Sequence, residues 1–125
     1  MYGAGDVRVE DAPEPTLQLA TDAIVRVVRS CICGSDLHPY HLMPAAETGN
    51  PMGHEMIAVV EETGGDVTGV RKGDFVVVPF AYSDNTCPVC RDGFHTACPN
   101  GGFYGRPQTG GLQAEYARIP QADGS

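Results

Sequence analysis

The chain has 125 residues, of which 42 % are hydrophobic and 19 % charged, and it carries a formal net charge of −8. That composition supports one globular domain with a modest core and argues against a disordered chain. The acidity disfavours binding to nucleic-acid phosphates or anionic lipid, and no apolar run approaches the ~20 residues that span a bilayer.

Sixteen glycines and ten prolines predict many turns and short strands rather than long helices. The first strand is expected over residues 22–29, "DAIVRVVR", which are rich in β-branched side chains. A short helical turn follows within "CICGSDLH", with Ser35 or Asp36 near its N-terminus. Residues 38–53 hold prolines and Gly49 and Gly53, and read as loop. "HEMIAVVEETG" (54–64) is a second strand, ended by Gly64 and Gly65. Residues 70–80, "VRKGDFVVVPF", read as a Lys-Gly-Asp turn and then a buried strand. A cysteine lobe (84–98) and a glycine-rich loop (101–111) precede a last strand over 112–120 with an exposed edge. The expected fold is mainly β with short helices, barrel-like or sandwich-like.

Five cysteines without a basic-then-apolar leader point to a reducing, cytoplasmic setting. Clustered cysteines there serve as metal ligands rather than disulfides. The lobe spells D-x2-C-x2-C-x7-C, from Asp84 through Cys87 and Cys90 to Cys98. Short spacings wrap successive donors around one tetrahedral ion, and the longer loop returns the last one. Asp84 is the candidate fourth donor, although Asp in "SDNT" equally suits a turn, and His95 is a rival. Only Val89 and Phe94 offer much apolar surface here, so an ion orders the lobe better than burial does.

A second constellation joins Cys33-Gly34-Ser35-Asp36, His38 and Gly53-His54-Glu55. A catalytic metal takes ligands from separate rigid elements and keeps one position open. In that reading Cys33 and His54 are ligands, Asp36 orients the His54 ring, and Glu55 either supports the ligands or is itself an alternate one. Ser35 and His38, three residues apart, suit proton transfer. Spacing alone equally fits a buried cysteine and a satisfied histidine.

"CICGSDLH", then "GHE", then the lobe "C-x2-C-x7-C" together resemble the zinc-dependent medium-chain alcohol dehydrogenases, in their N-terminal GroES-like catalytic domain. The resemblance runs from about Val7 to Ile119. It implies a partly open GroES-like barrel over residues 1–125. Cys33 and His54 would be catalytic zinc ligands, with Glu55 the carboxylate beside them and Ser35 and His38 a proton relay. Cys87, Cys90 and Cys98 match ligands of a structural zinc, and Asp84 stands where the family usually has a first cysteine. The implied reaction oxidises an alcohol to an aldehyde or ketone, with zinc as Lewis acid and NAD or NADP accepting hydride.

The same resemblance places the third catalytic ligand and the nucleotide-binding Rossmann domain beyond residue 125. Neither "GAGDVR" (3–8) nor "GGDVTG" (64–69) completes a dinucleotide fingerprint. The 125 residues alone are expected to lack turnover, and the full enzyme to be a homo-oligomer. Two rival readings are a GroES-like scaffold without catalysis and a thiol-redox protein built on Cys87-Pro88-Val89-Cys90. Among the remaining residues, Cys31 is expected in the core, Tyr82, Phe103 and Tyr104 as packing aromatics, and Tyr40, His41 and Met43 in loop or packing roles.

Overall fold

The computed structural model describes residues 1–125. In chain order the elements are β1 (Ala23–Ser30), α1 (Leu37–Leu42), β2 (Met56–Thr63), β3 (Phe75–Val78), β4 (Ala81–Tyr82), α2 (Pro88–Arg91), β5 (Gly102–Phe103) and β6 (Tyr116–Ile119). Three single 3₁₀ turns, at Gly34–Asp36, His95–Ala97 and Ala122–Gly124, complete them. The larger sheet is antiparallel with order β3-β2-β1-β6, and β4 pairs with β5 in a small ladder. The architecture is mainly sheet with short helices, and both sheets are open.

β2 alternates strictly at its start, with Met56, Ala58 and Val60 buried. A period of two sends these side chains to one face. There they meet Ala23 and Val25 of β1, Val78 of β3, and Ala117 and Ile119 of β6. Leu112 and Tyr104 come in from the glycine-rich loop and close the same core. β1 has register irregularities between Ile24 and Val25 and between Val27 and Arg29. Each bulge bends the strand and increases its twist.

Several expectations are corrected. Residues 38–42 are helical, because Pro39 falls in the first turn of α1, where its missing N–H costs nothing. The expected turn at Lys72–Gly73 leads into β3, but the strand is not buried throughout: alternation turns Phe75 (63 % exposed) and Val77 (72 %) away from the core and Val78 toward it. The last strand covers only Tyr116–Ile119, and it is an edge strand as expected. Cys31 is exposed rather than in the core, since the chain has left β1 by then.

The C-terminal turn is tied back to the sheet. Asp123 accepts the N–H groups of Thr68 (2.9 Å) and Gly69 (2.8 Å) and the Thr68 hydroxyl (2.8 Å). Desolvation pushes the Asp123 carboxyl up, but these donors outweigh it and hold the pKa below the usual range.

Two outcomes follow for stability. Leu112 is fully buried, so Leu112→Ala should cost about 2–4 kcal/mol, read as a lower urea midpoint at unchanged slope. A carboxylate with a lowered folded pKa stabilises above its unfolded value, about pH 4, and that contribution is lost as pH falls through the folded pKa. Thermal melts below about pH 4 should therefore decline less steeply in Asp123→Asn than in the parent.

Candidate functional site

The β1–β2 register carries the first constellation. Ser30 at the end of β1 pairs with Met56 at the start of β2. The segments just outside that pair, Cys31–Asp36 and Gly53–Glu55, therefore emerge side by side despite their separation in sequence. Ser30 Oγ donates to the Glu55 carbonyl at 3.2 Å and secures this junction. Gly53 turns the chain at φ +89, and a Cβ there would collide with the Leu112–Gln113 backbone, so only glycine fits. The Leu112 and Gln113 N–H groups donate to the carbonyls of Gly53 and Met52, at 3.0 and 3.1 Å.

Asp36 is buried and joins the two halves. Its Oδ2 accepts the Cys33 N–H at 2.8 Å, and its Oδ1 lies 3.4 Å from His54 Nδ1. A carboxylate at Nδ1 keeps the proton on that nitrogen and leaves Nε2 with a lone pair. Nε2 faces the Ser35 hydroxyl at 3.1 Å. The Cys33 sulfur, a His54 nitrogen and a Glu55 oxygen all lie within 4.8 Å of one another. Ser35, through its hydroxyl and its N–H, and then the His54 ring hold the Cys33 thiol below its ordinary pKa, which favours thiolate. The opposite holds at Cys31, whose thiol donates to Glu55 Oε2 at 3.2 Å and is pushed up by that contact.

His38 is the sequence-derived residue that the geometry leaves apart. It sits on α1, exposed, and no hydrogen bond links it to Ser35. Cys33, Ser35, His54 and Glu55 open into a cleft of about 370 Å³. Phe80, Phe103, Tyr104 and Arg106 form the rest of its lining. Phe80 and Phe103 stack nearly parallel with centroids 6.0 Å apart. Tyr104 is buried and its hydroxyl is anchored on Ser125 at 3.2 Å. Tyr40, His41 and Met43 do not line the cleft; Tyr40 and His41 meet edge to face on α1.

The lobe gathers the second constellation. Asp84, Cys87, Cys90 and Cys98 each place a donor atom within 4.8 Å of the other three. All three sulfurs are free thiols. Donors on a tetrahedron with bonds of about 2.3 Å stand about 3.8 Å apart, and the Cys87 and Cys98 sulfurs are 3.9 Å apart. Cys87 caps α2, with Pro88 at the first helical position, and its sulfur accepts the Cys90 N–H. The Asp84 N–H donates to the Cys98 sulfur. Burial, then the neighbouring Cys87 and Cys98, push the Cys90 thiol up to about 12. At Cys98 burial acts upward too, but the Asp84 and Asn100 N–H groups win and lower its pKa. Three sulfurs this close cannot all ionise without a cation among them, so the donor set suits a divalent thiophilic metal.

Asp84 fills the turn role its sequence context suggested and also lies among the cysteine donors. Oδ1 accepts the Thr86 and Cys87 N–H groups at 2.9 and 3.0 Å, an Asx-type turn. Oδ2 accepts the Asn100 side-chain amide at 2.6 Å. The Asn100 amide first, then these N–H groups, hold the carboxyl far below the ordinary range. A carboxylate has roughly four lone-pair sites, so Oδ2 retains one for a cation. His95 lies outside this donor set; its Nδ1 faces the Ser83 hydroxyl at 3.3 Å. Cys87 and Cys90 also lie outside any βαβ unit, which removes the setting of a thioredoxin-like C-x-x-C pair.

Asn100, Phe80 and Arg106 escaped the sequence reading. Asn100 lies past the last cysteine, where no spacing rule marks it. Phe80 follows a strand-like run and reads as core until β3 proves to be an edge.

The chain belongs to the family described as the alcohol dehydrogenase GroES-like domain, which matches residues 20–124. It is 42 % identical to a zinc-type alcohol dehydrogenase B of Aspergillus flavus, over 95 % of this chain and 28 % of that one. A zinc-type alcohol dehydrogenase-like protein of Bacillus subtilis is 37 % identical, over 97 % of this chain and 35 % of its own length. The fold matches an alcohol dehydrogenase from Thermus sp. ATN1 with a TM-score of 0.87 at 39 % identity, covering 98 % of this chain and 37 % of that one. The chain thus spans about a third of the relatives it matches.

The Asp36 clamp is directly measurable. Ring ¹⁵N shifts should show His54 as a single tautomer protonated at Nδ1, and Asp36→Ala should convert it to a mixture with a large Nε2–H share.

Proposed function

We propose that this chain is the catalytic zinc-binding domain of an NAD- or NADP-dependent alcohol dehydrogenase, a zinc enzyme that oxidises small alcohols to aldehydes or ketones. The observation that carries the reading is the convergence of Cys33, His54 and Glu55 donors, fixed by the buried Asp36, at the floor of a cleft. Cys33 and His54 hold the catalytic zinc, and Glu55 is the carboxylate beside it. Asp84, Cys87, Cys90 and Cys98 hold a second, structural zinc. When bound, the catalytic zinc supplies the Lewis acidity that brings an alcohol's pKa toward neutrality.

The residues of this chain do the rest of the local work. Ser35 Oγ would accept the hydroxyl proton on a lone pair while its own O–H proton, turned away from His54, leaves toward His38 or water. His38, exposed on α1, passes that proton to solvent in the proposed relay, which requires the α1 side chain to swing toward Ser35. Phe80 and Phe103 exclude water around the substrate's apolar part. Hydride acceptance belongs to the nicotinamide cofactor, held by a nucleotide-binding domain outside these residues. We further propose a homo-oligomeric, cytoplasmic enzyme.

Two donor clusters set the metal count. His54→Ala should remove one zinc equivalent per chain and abolish NAD(P)-dependent alcohol oxidation in the complete enzyme. Cys90→Ala should remove the other equivalent and open residues 84–100 to protease. Full metal content in both variants would sink the two-site reading, and loss in Cys90→Ala alone would favour a zinc-bearing scaffold.

A further inference from the structure

The chain has twice as many acidic as basic residues, with sixteen Asp and Glu against eight Lys and Arg. Most of its cations are accordingly occupied. Arg8, Arg26, Arg71, Lys72 and Arg118 each face a carboxylate, and Arg29 donates to the Val28 carbonyl. Arg91 and Arg106 do neither, and of these two only Arg106 lines the cleft that holds Glu55. Glu55 contacts the Cys31 thiol through one oxygen and belongs to the donor set with Cys33 and His54, and it forms no ion pair with Arg106. An exposed guanidinium at the cleft with no partner on the protein is free for an anion brought from outside.

Its mounting is rigid. The Gly105 N–H donates to the Gly110 carbonyl, and the Gly110 N–H donates back to the Arg106 carbonyl, both at 2.8 Å. Thr109 Oγ1 donates to the Phe103 carbonyl at 2.8 Å. Gly105 and Gly110 have positive φ, as so tight a loop requires. This closed loop fixes the Arg106 backbone at the cleft while the stacked Phe80 and Phe103 supply an apolar wall. The cleft therefore offers, in one cavity, a polar floor at Cys33, Ser35 and His54, an apolar side and a fork-shaped cation.

We propose that Arg106 is the anion-recognition residue of this cleft, selecting alcohols that carry a carboxylate or phosphate separated from the reacting hydroxyl by a short apolar spacer. The assignment rests on the alcohol reading for the position of the hydroxyl, and on Arg106 alone for the anion. A guanidinium takes such oxyanions in bidentate fashion, which a neutral side chain cannot do.

The test is a pair of probes of equal length, 4-hydroxybutyrate and butane-1,4-diol, titrated into the zinc-loaded protein with amide chemical shifts as readout. The acid should bind about fivefold tighter at low salt, and 0.5 M salt should shrink the difference, as the screening length falls to about 4 Å. Arg106→Gln should abolish the preference and Arg106→Lys should retain part of it. Equal affinities in the parent protein, or a preference that survives Arg106→Gln, would overturn the proposal. ADP-ribose is the third probe: if it alone depends on Arg106, the guanidinium serves the dinucleotide's pyrophosphate and the substrate assignment falls. Repeating the titration without metal separates the two readings. An Arg106-dependent preference that persists there, combined with a His54→Ala variant that keeps all its zinc, would leave the anion site standing and remove the alcohol chemistry.

Discussion

One buried carboxylate organises this molecule. Asp36 binds the Cys33 backbone through one oxygen and faces the His54 ring with the other, so a single side chain fixes a residue following β1 to a residue preceding β2. Burying such a group costs free energy unless it is well satisfied. Here that cost is offset by charge-assisted contacts to both halves of the junction. The sheet brings the segments near each other; Asp36 converts nearness into a defined geometry at Cys33 and His54. Metal chemistry and proton transfer, as proposed, both depend on that geometry, because each needs a nitrogen lone pair aimed at a known point.

The lobe solves a different problem with similar means. It has almost no apolar surface of its own, and Phe94 remains exposed. Its order comes from N–H groups aimed at sulfur and carboxylate, which create a donor cage before any cation is considered. N–H and amide donors lower the pKa values of Asp84 and Cys98 below their ordinary ranges. Electrostatics thus does in the lobe what side-chain packing does in the sheet.

The sequence was a good guide where chemistry repeats at short spacing. The D-x2-C-x2-C-x7-C run and "CGSD" with "GHE" each named residues whose donor atoms the fold places within 4.8 Å of one another. Strand positions were legible from β-branched residues, for the same reason that β2 alternates so regularly. What stayed hidden depended on neighbours far along the chain. The exposure of Phe75 and Val77 follows from alternation onto a face of the sheet that nothing covers, which local pattern does not reveal. Exposure of Cys31 follows from where β1 ends, and helicity at Pro39 follows from its phase relative to Asp36. Arg106 carries no motif at all; it stands out only once the cleft is defined and its guanidinium is found there without a partner on the protein.

The lobe is also a strut. The Gly101 N–H donates to the Cys98 carbonyl, and the next two residues form β5, which pairs Gly102 with Tyr82 and Phe103 with Ala81. Phe103 then stacks on Phe80 to build the apolar wall of the cleft. Slackness among the thiols would thus travel from Cys98 to Phe103 and loosen that wall while the main sheet kept its register. Damage at one centre would first surface as blurred selectivity at the other, long before the molecule came apart.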